Sequence, residues 1–187
     1  MGVGLLSVNG RLHLATRSGP GAAWNTPVLL PVSGIPILGR GCLSAGGDTL
    51  IVEGAYSAGT ATTPPDLDLF VSIRDAVSGA WSRPYALGAD INTDADETRP
   101  LLGPDGRTLW YVSAGYPGLG HSDVLVSQHT GSGWAQWKRP QNLGKERNDT
   151  FPHRGYTSMS ADGQTFWLSV EGADGKGDLW MLRGIDD

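Results

Sequence analysis

The sequence holds a single cysteine, Cys42, among 187 residues. One thiol excludes a disulfide framework and a cysteine-rich zinc site within the chain. Charged residues are scarce at 18%, and the net charge is −5. Lysine and arginine cluster nowhere, so the basic footprint of a nucleic-acid or anionic-membrane binder is missing. No apolar run approaches the ~18 residues that a membrane-spanning helix needs, and no membrane span is expected. The opening stretch MGVGLLSVNGRLHLATR has neither a basic start nor a long apolar centre, so no signal peptide is expected in it. The four histidines, His13, His121, His129 and His153, form no His-x-x-x-His pair. A Gly-x-Ser-x-Gly elbow and a phosphate-binding Gly-Lys-Ser/Thr loop are both missing.

Glycine, in contrast, is abundant. It accounts for 28 residues, with 12 prolines beside it, about twice the usual glycine share of ~7%. This composition disfavours a helical bundle and favours many short strands joined by tight turns.

The sequence repeats itself. Trp-x-x-Pro occurs at Trp24–Pro27, Trp81–Pro84 and Trp137–Pro140, with the prolines 57 and 56 residues apart. A leucine follows each tryptophan by six positions: Leu30, Leu87 and Leu143. Gly-x-Thr-apolar begins at Gly47, Gly106 and Gly163, at steps of 59 and 57. An alternating strand starts near Leu12, Leu69, Leu125 and Leu179. A period of about 57 residues with several landmarks is the signature of a repeat architecture.

Each period reads as a short strand, an Asp-Gly turn, a second strand, a Gly-rich loop, a third strand and the Trp-x-x-Pro strand. Asp-Gly between apolar runs is a hairpin signal: glycine supplies positive φ and the aspartate bonds the nearby backbone. Proline lacks a ladder donor, so its strand belongs on a sheet edge. A four-stranded antiparallel unit repeated radially is a β-propeller blade. The expected fold is therefore an all-β propeller of three to four blades with both terminal blades incomplete. Its approximate units are 1–34, 35–92, 93–148 and 149–187. The first unit is expected to lack its innermost strand and the last its proline strand. Packing between blades is expected to bury Trp110, Trp167, Trp180 and the leucines. Three closures are open: a small ring, a fragment of a larger ring, or a half-ring closed by a homodimer.

Residues 97–113, Glu-Thr-Arg-Pro-Leu-Leu-Gly-Pro-Asp-Gly-Arg-Thr-Leu-Trp-Tyr-Val-Ser, resemble the PD40 group of WD40-like repeats, found in the TolB propeller and in envelope proteins with OmpA-like domains. The stretch from Gly120 to Ser127 is similar to the second half of that repeat, and the segment from Asp90 to Glu97 to the part before its proline. The resemblance covers most of residues 66–183. The first copy departs from it, with no aspartate at its turn and Thr60–Pro65 in place of a Gly-rich loop; the third lacks the proline of Pro-Asp-Gly. The resemblance implies a periplasmic or extracellular binding propeller.

Among candidate sites, Asp90, Asn92, Asp94 and Asp96 place oxygen ligands at every second residue, as a calcium loop does. The EF-hand glycine and glutamate positions hold Ala95 and Leu101, so the stretch reads first as a solvated acidic connection between blades and only second as a calcium loop. No other cofactor is expected. Arg99, His153, Arg154 and Tyr156 fall near the expected channel mouth, and His121 lies in a Gly-rich loop. These five are the candidate binding residues, since arginine makes bidentate bonds to carboxylates and aromatic rings suit sugars. Cys42 reads as a small core residue. Paired carboxylates for glycoside hydrolysis would come from Glu53, Glu97 or Glu171. The hairpin from Ser160 to Phe166 also resembles the structural Asp-box of sialidases. The leading reading is a non-catalytic module that binds a protein or cell-envelope partner through loops on its axial face. A carbohydrate-active propeller (a lectin or part of a sialidase-like hydrolase) and the accessory propeller of a peptidase are the alternatives.

Overall fold

The computed structural model describes residues 2–32, 34, 37–55, 66–118, 122–144, 155–171 and 177–183, with backbone alone at 37–39, 155–157, 168–171, 177 and 182. The described residues form four antiparallel sheets and no helix. The first sheet holds β1 (Gly2–Val8), β2 (Arg11–Arg17) and β3 (Val28–Leu29). The second holds β4 (Ile37–Leu43), β5 (Thr49–Gly54), β6 (Asp68–Ile73) and β7 (Tyr85–Ala86). The third holds β8 (Glu97–Leu102), β9 (Thr108–Ser113), β10 (Asp123–Gln128) and β11 (Gln141–Asn142). The fourth holds β12 (Gly155–Met159), β13 (Thr165–Glu171) and β14 (Gly177–Arg183).

Local chemistry sets the hairpins. Gly47, Gly106 and Gly163 occupy one repeat position and all have positive φ, at 73°, 64° and 73°. Asp105 Oδ1 accepts the amides of Arg107 and Thr108, both at 2.9 Å. Asp162 Oδ1 accepts the Gln164 amide at 3.0 Å. The first copy has no aspartate there, and Ser44 substitutes: its Oγ accepts the Asp48 and Thr49 amides at 3.3 and 3.0 Å. A further turn, Asn9-Gly10, joins β1 to β2 with both φ values positive, at 51° and 71°, as a two-residue type I′ hairpin requires.

The Trp-x-x-Pro strands are shorter than expected. Each proline stands just before a two-residue outermost strand, not within it: Pro27 before β3, Pro84 before β7, Pro140 before β11. A residue without an amide hydrogen cannot donate to the ladder, so the proline separates the two-residue strand from the isolated bridges that Trp81 and Trp137 make with Arg74 and His129. The pairing also refines the repeat. Phe70 pairs opposite Val52, and Leu125 opposite Tyr111, so Phe70 and Leu125 are equivalent. Leu69 is then equivalent to Val124, and Asp68, Asp123 and Asp178 share the position before it.

Strand alternation sends successive side chains to opposite faces, and both faces of the middle sheets are covered. Leu50, Val52 and Phe70 pack with Leu12 and Leu30 between sheets one and two. Ile51, Leu69 and Val71 turn the other way and meet Leu102, Leu109, Tyr111 and Leu125 between sheets two and three. Leu101, Val112 and Val124 face Phe166 between sheets three and four. The leucines six residues after each tryptophan, Leu30, Leu87 and Leu143, each join one of these layers. A fully buried side chain of this size contributes roughly 1.5–3 kcal/mol, so stability resides in the stacking of sheets.

The first strands converge: β4 contacts β8, and β8 contacts β12, while β7 and β11 touch only their own sheets among these principal contacts. Sheets stacked side by side with first strands inside and last strands outside form a β-propeller arrangement. Sheet one has the second, third and fourth strands of the unit, and sheet four has the first three. Trp110 packs between sheets three and four. Trp167 and Trp180 depart from expectation. Trp167 pairs opposite Met181 on the face turned away from sheet three, and Trp180 on β14 is 55% exposed. No described residue lies beyond the far face of sheet four, to which Trp167 belongs, whereas Trp180 pairs opposite Leu168 on the face turned toward sheet three.

Candidate functional site

All three innermost strands carry an irregularity at the same height. The register shifts between Ile37 and Gly41 in β4, between Thr98 and Leu101 in β8, and between Tyr156 and Ser158 in β12. A bulge re-aims the side chains beside it. Arg40, Arg99 and Tyr156 share one repeat position, seven residues before the glycine of Gly-x-Thr, and it falls at these bulges. In β4 the crossing is tight: a Cβ on Gly41 would lie 2.5 Å from the Ile51 carbonyl oxygen. In β8, Arg99 takes a left-handed backbone, φ 53°, which for a residue with a Cβ costs about 1–2 kcal/mol and persists where the surroundings over-determine it.

Glu53 on β5 supplies that constraint. It is fully buried, on the face that meets sheet three. Its Oε2 accepts the Arg99 amide at 3.1 Å. Its Oε1 pairs with Arg40 Nη1 at 3.4 Å, and Arg40 is 59% exposed. Burial pushes the Glu53 carboxyl above its ordinary range, opposed by the Arg99 amide and the charges of Arg40 and Arg99. One buried carboxylate thus holds the Arg40 guanidinium and the Arg99 backbone amide, on the innermost strands of two sheets.

Of the five sequence-predicted binding residues, Arg99 belongs to this cluster. Tyr156 has its backbone on β12 at the equivalent bulge, and its side chain lies outside the described residues. His121, His153 and Arg154 lie outside them as well. Arg40 escaped sequence reasoning as a binding residue, although its repeat position, shared with Arg99, was a usable signal. Glu53, one of the three carboxylates from which a glycoside-hydrolysis pair would come, is committed here to Arg40 and the Arg99 amide.

The acidic segment laces sheet two to sheet three. The Asn92 side chain mimics a strand partner: Oδ1 accepts the Leu69 amide at 2.9 Å and Nδ2 donates to the Leu69 carbonyl at 3.0 Å. Asp96 Oδ1 accepts the Leu67 amide at 3.0 Å. The buried Glu97 carboxylate accepts the Thr93 amide at 2.7 Å, the Thr93 hydroxyl at 2.9 Å and the Ser113 hydroxyl at 2.5 Å. Burial nonetheless raises its pKa, against those hydrogen bonds. Among the described residues no group of three or more His, Cys, Asp or Glu is arranged to hold a metal ion. Burial and the neighbouring Asp66 charge push Asp68 up to about 6.

Glu53 and Glu97 are both buried and committed to internal partners, so neither faces an open cleft. The Glu171 side chain lies outside the described residues. Cys42 is buried between sheets two and three, where its Sγ accepts the Leu102 amide at 3.2 Å. Burial pushes its thiol up to about 12, so it carries no thiolate at neutral pH.

No protein-family model matches the sequence, and no curated protein matches it either. Among solved structures, the chain is similar to a puromycin hydrolase mutant complexed with PGG, at 18% identity and a TM-score of 0.43, over 93% of this chain and 26% of that one. It is similar to the tricorn protease at 12% identity and a TM-score of 0.45, over 96% and 25%. It is also similar to puromycin hydrolase at 19% identity and a TM-score of 0.42, over 87% and 24%. The chain spans about a quarter of the length of each of these proteins.

Proposed function

We propose that the chain is a non-catalytic propeller module that binds a protein or cell-envelope partner at its inner rim, through a carboxylate of that partner. The observation that supports this reading is the Glu53 anchor: one buried carboxylate holds the Arg40 guanidinium and the Arg99 backbone amide at bulges of adjacent innermost strands. The Arg40 guanidinium, held by Glu53, loses little freedom on pairing, and arginine meets a carboxylate with two parallel hydrogen bonds. Arg99 and Arg40 make the primary contact. Tyr156, whose backbone stands at the third equivalent position, is proposed as a further contact of the same partner, together with His121, His153 and Arg154. A rigid stack of sheets presenting such groups suits a binding platform. The resemblance of residues 97–113 to the PD40 repeat supports the same reading, with the periplasm or cell exterior as the compartment.

The test is fluorescence polarisation with labelled peptides carrying Asp or Glu, against the same peptides carrying Asn or Gln. The acidic members are expected to bind and their amide counterparts to bind at least 10-fold more weakly. Arg40→Ala and Arg99→Gly should each weaken acidic-peptide binding about 10-fold while the fold is retained. Equal binding of acid and amide forms, or variants with unchanged affinity, would reject the site. A glycan array and a fluorogenic sialoside assay run alongside; a response in either transfers the assignment to the carbohydrate reading.

A further inference from the structure

Sheets one and four each leave open a face that the middle of the array buries. On β6, Leu69 and Val71 point toward the following sheet and are wholly buried. The equivalent residues of β14 are Leu179 and Met181, 69% and 51% exposed. They share that face with Trp167, which pairs opposite Met181. On the opposite face, Val52 and Tyr111 point toward the preceding sheet and are buried. Their equivalent on β1 is Leu6, which is 40% exposed. The tryptophans repeat the pattern. Trp81 and Trp137 pack into the layers shared with the preceding sheet. Trp24 lies over the same face of sheet one, against Gly4, and is 48% exposed. Gly4 occupies the position of Leu50, Leu109 and Phe166, so sheet one lacks that side chain, and Trp24 covers part of the gap with Arg17 stacked on it at 4.7 Å.

We propose that the outer face of sheet four docks on the outer face of sheet one of a second copy of this chain. The chain uses one kind of interface three times: the forward face of one sheet on the backward face of the next. The two open faces are one of each kind, so a second copy satisfies both and continues the stacking the chain already makes. Two such contacts related by a two-fold axis close eight sheets into one ring, whereas a single unclosed contact would propagate. Burying large apolar groups that now face water supplies the drive. The inference does not depend on the arginine cluster, which lies at the inner rim.

The test is light scattering coupled to gel filtration on the full chain across a range of concentrations, with Leu6→Arg, Leu179→Arg and Val77→Arg. Val77 is an almost fully exposed turn residue far from either face. The parent chain and Val77→Arg are expected to run at twice the chain mass. Each of the other variants is expected to weaken association at least 100-fold while keeping the parent circular dichroism spectrum. A mixture of Leu6→Arg with Leu179→Arg leaves one undamaged contact per pair, so mixing should restore part of the dimer. A monomeric parent chain, association unaffected by either variant, open-ended oligomers, or a mixture that stays monomeric would each overturn the proposal.

Discussion

The carboxylate of Glu53 accepts the backbone amide of Arg99 at 3.1 Å, across 46 residues of sequence and the gap between two sheets. The same carboxylate holds Arg40. Truncating it by Glu53→Ala leaves the inter-sheet Arg99 amide without its acceptor, at a cost of about 1–3 kcal/mol. Chemical denaturation of the variant is expected to show a loss of that size with an unchanged m-value. A change below about 0.5 kcal/mol would show that Glu53 does not pin β8 to β5.

Arg99→Gly separates the backbone of the site from its head group. The left-handed conformation at φ 53° is nearly free for glycine, which instead carries a larger unfolded-state entropy. These effects oppose each other, so the variant is expected to stay within about 1 kcal/mol of the parent in thermal melting. A loss above 2 kcal/mol would mean that the Arg99 side chain, and not the Glu53 contact, maintains the bulge.

Gly88 has φ 90°, and a Cβ there would lie 2.7 Å from the backbone oxygen of Ala135. The Gly88→Ala substitution meets backbone strain and a backbone clash together, whereas Gly106→Ala meets only positive φ, with nothing near its Cβ. Gly106→Ala is expected to cost about 1 kcal/mol. Gly88→Ala is expected to cost clearly more. Equal melting temperatures for the two variants would contradict the close approach of these loops.

Asp68 titrates at about 6 in the folded chain, raised from the ordinary 3.8 by burial and by Asp66. A raised carboxyl binds its proton more tightly when folded. Its contribution to stability is complete below pH ~4 and is lost as the pH rises through about 6. Asp68→Asn is therefore expected to be more stable than the parent at pH 7.5, by up to about 1 kcal/mol after solvent screening. The two should converge near pH 4. Parallel pH–stability curves would refute this assignment.

Cys42 is sealed between sheets two and three, with its thiol pushed up to about 12. An aromatic disulfide reagent at pH 8 is expected to leave the native chain unmodified and to react stoichiometrically in urea. Rapid modification of the native protein would show that the layer opens.

Much of the fold was legible in the sequence because a repeat leaves its mark at fixed spacing. The Gly-x-Thr turns, the Trp-x-x-Pro edges and the leucines that follow them are local requirements: positive φ, a missing amide hydrogen, an apolar plug between sheets. The third strand was legible only to within one residue, because Leu69 and Leu125 match by eye but lie on opposite faces. Pairing alone distinguishes them.

Local sequence determined that this chain would make antiparallel strands of four kinds in a recurring order, since turn conformation and side-chain alternation act within a few residues. Only tertiary structure decided that Glu53 would meet Arg99, that Asn92 would act as a strand partner for Leu69, and that Trp180 would stand exposed while Tyr111 was buried. The reason is physical: an apolar pattern states that a face requires cover, but the covering sheet comes from ~50 residues away or from another molecule, and its identity is carried by no local spacing.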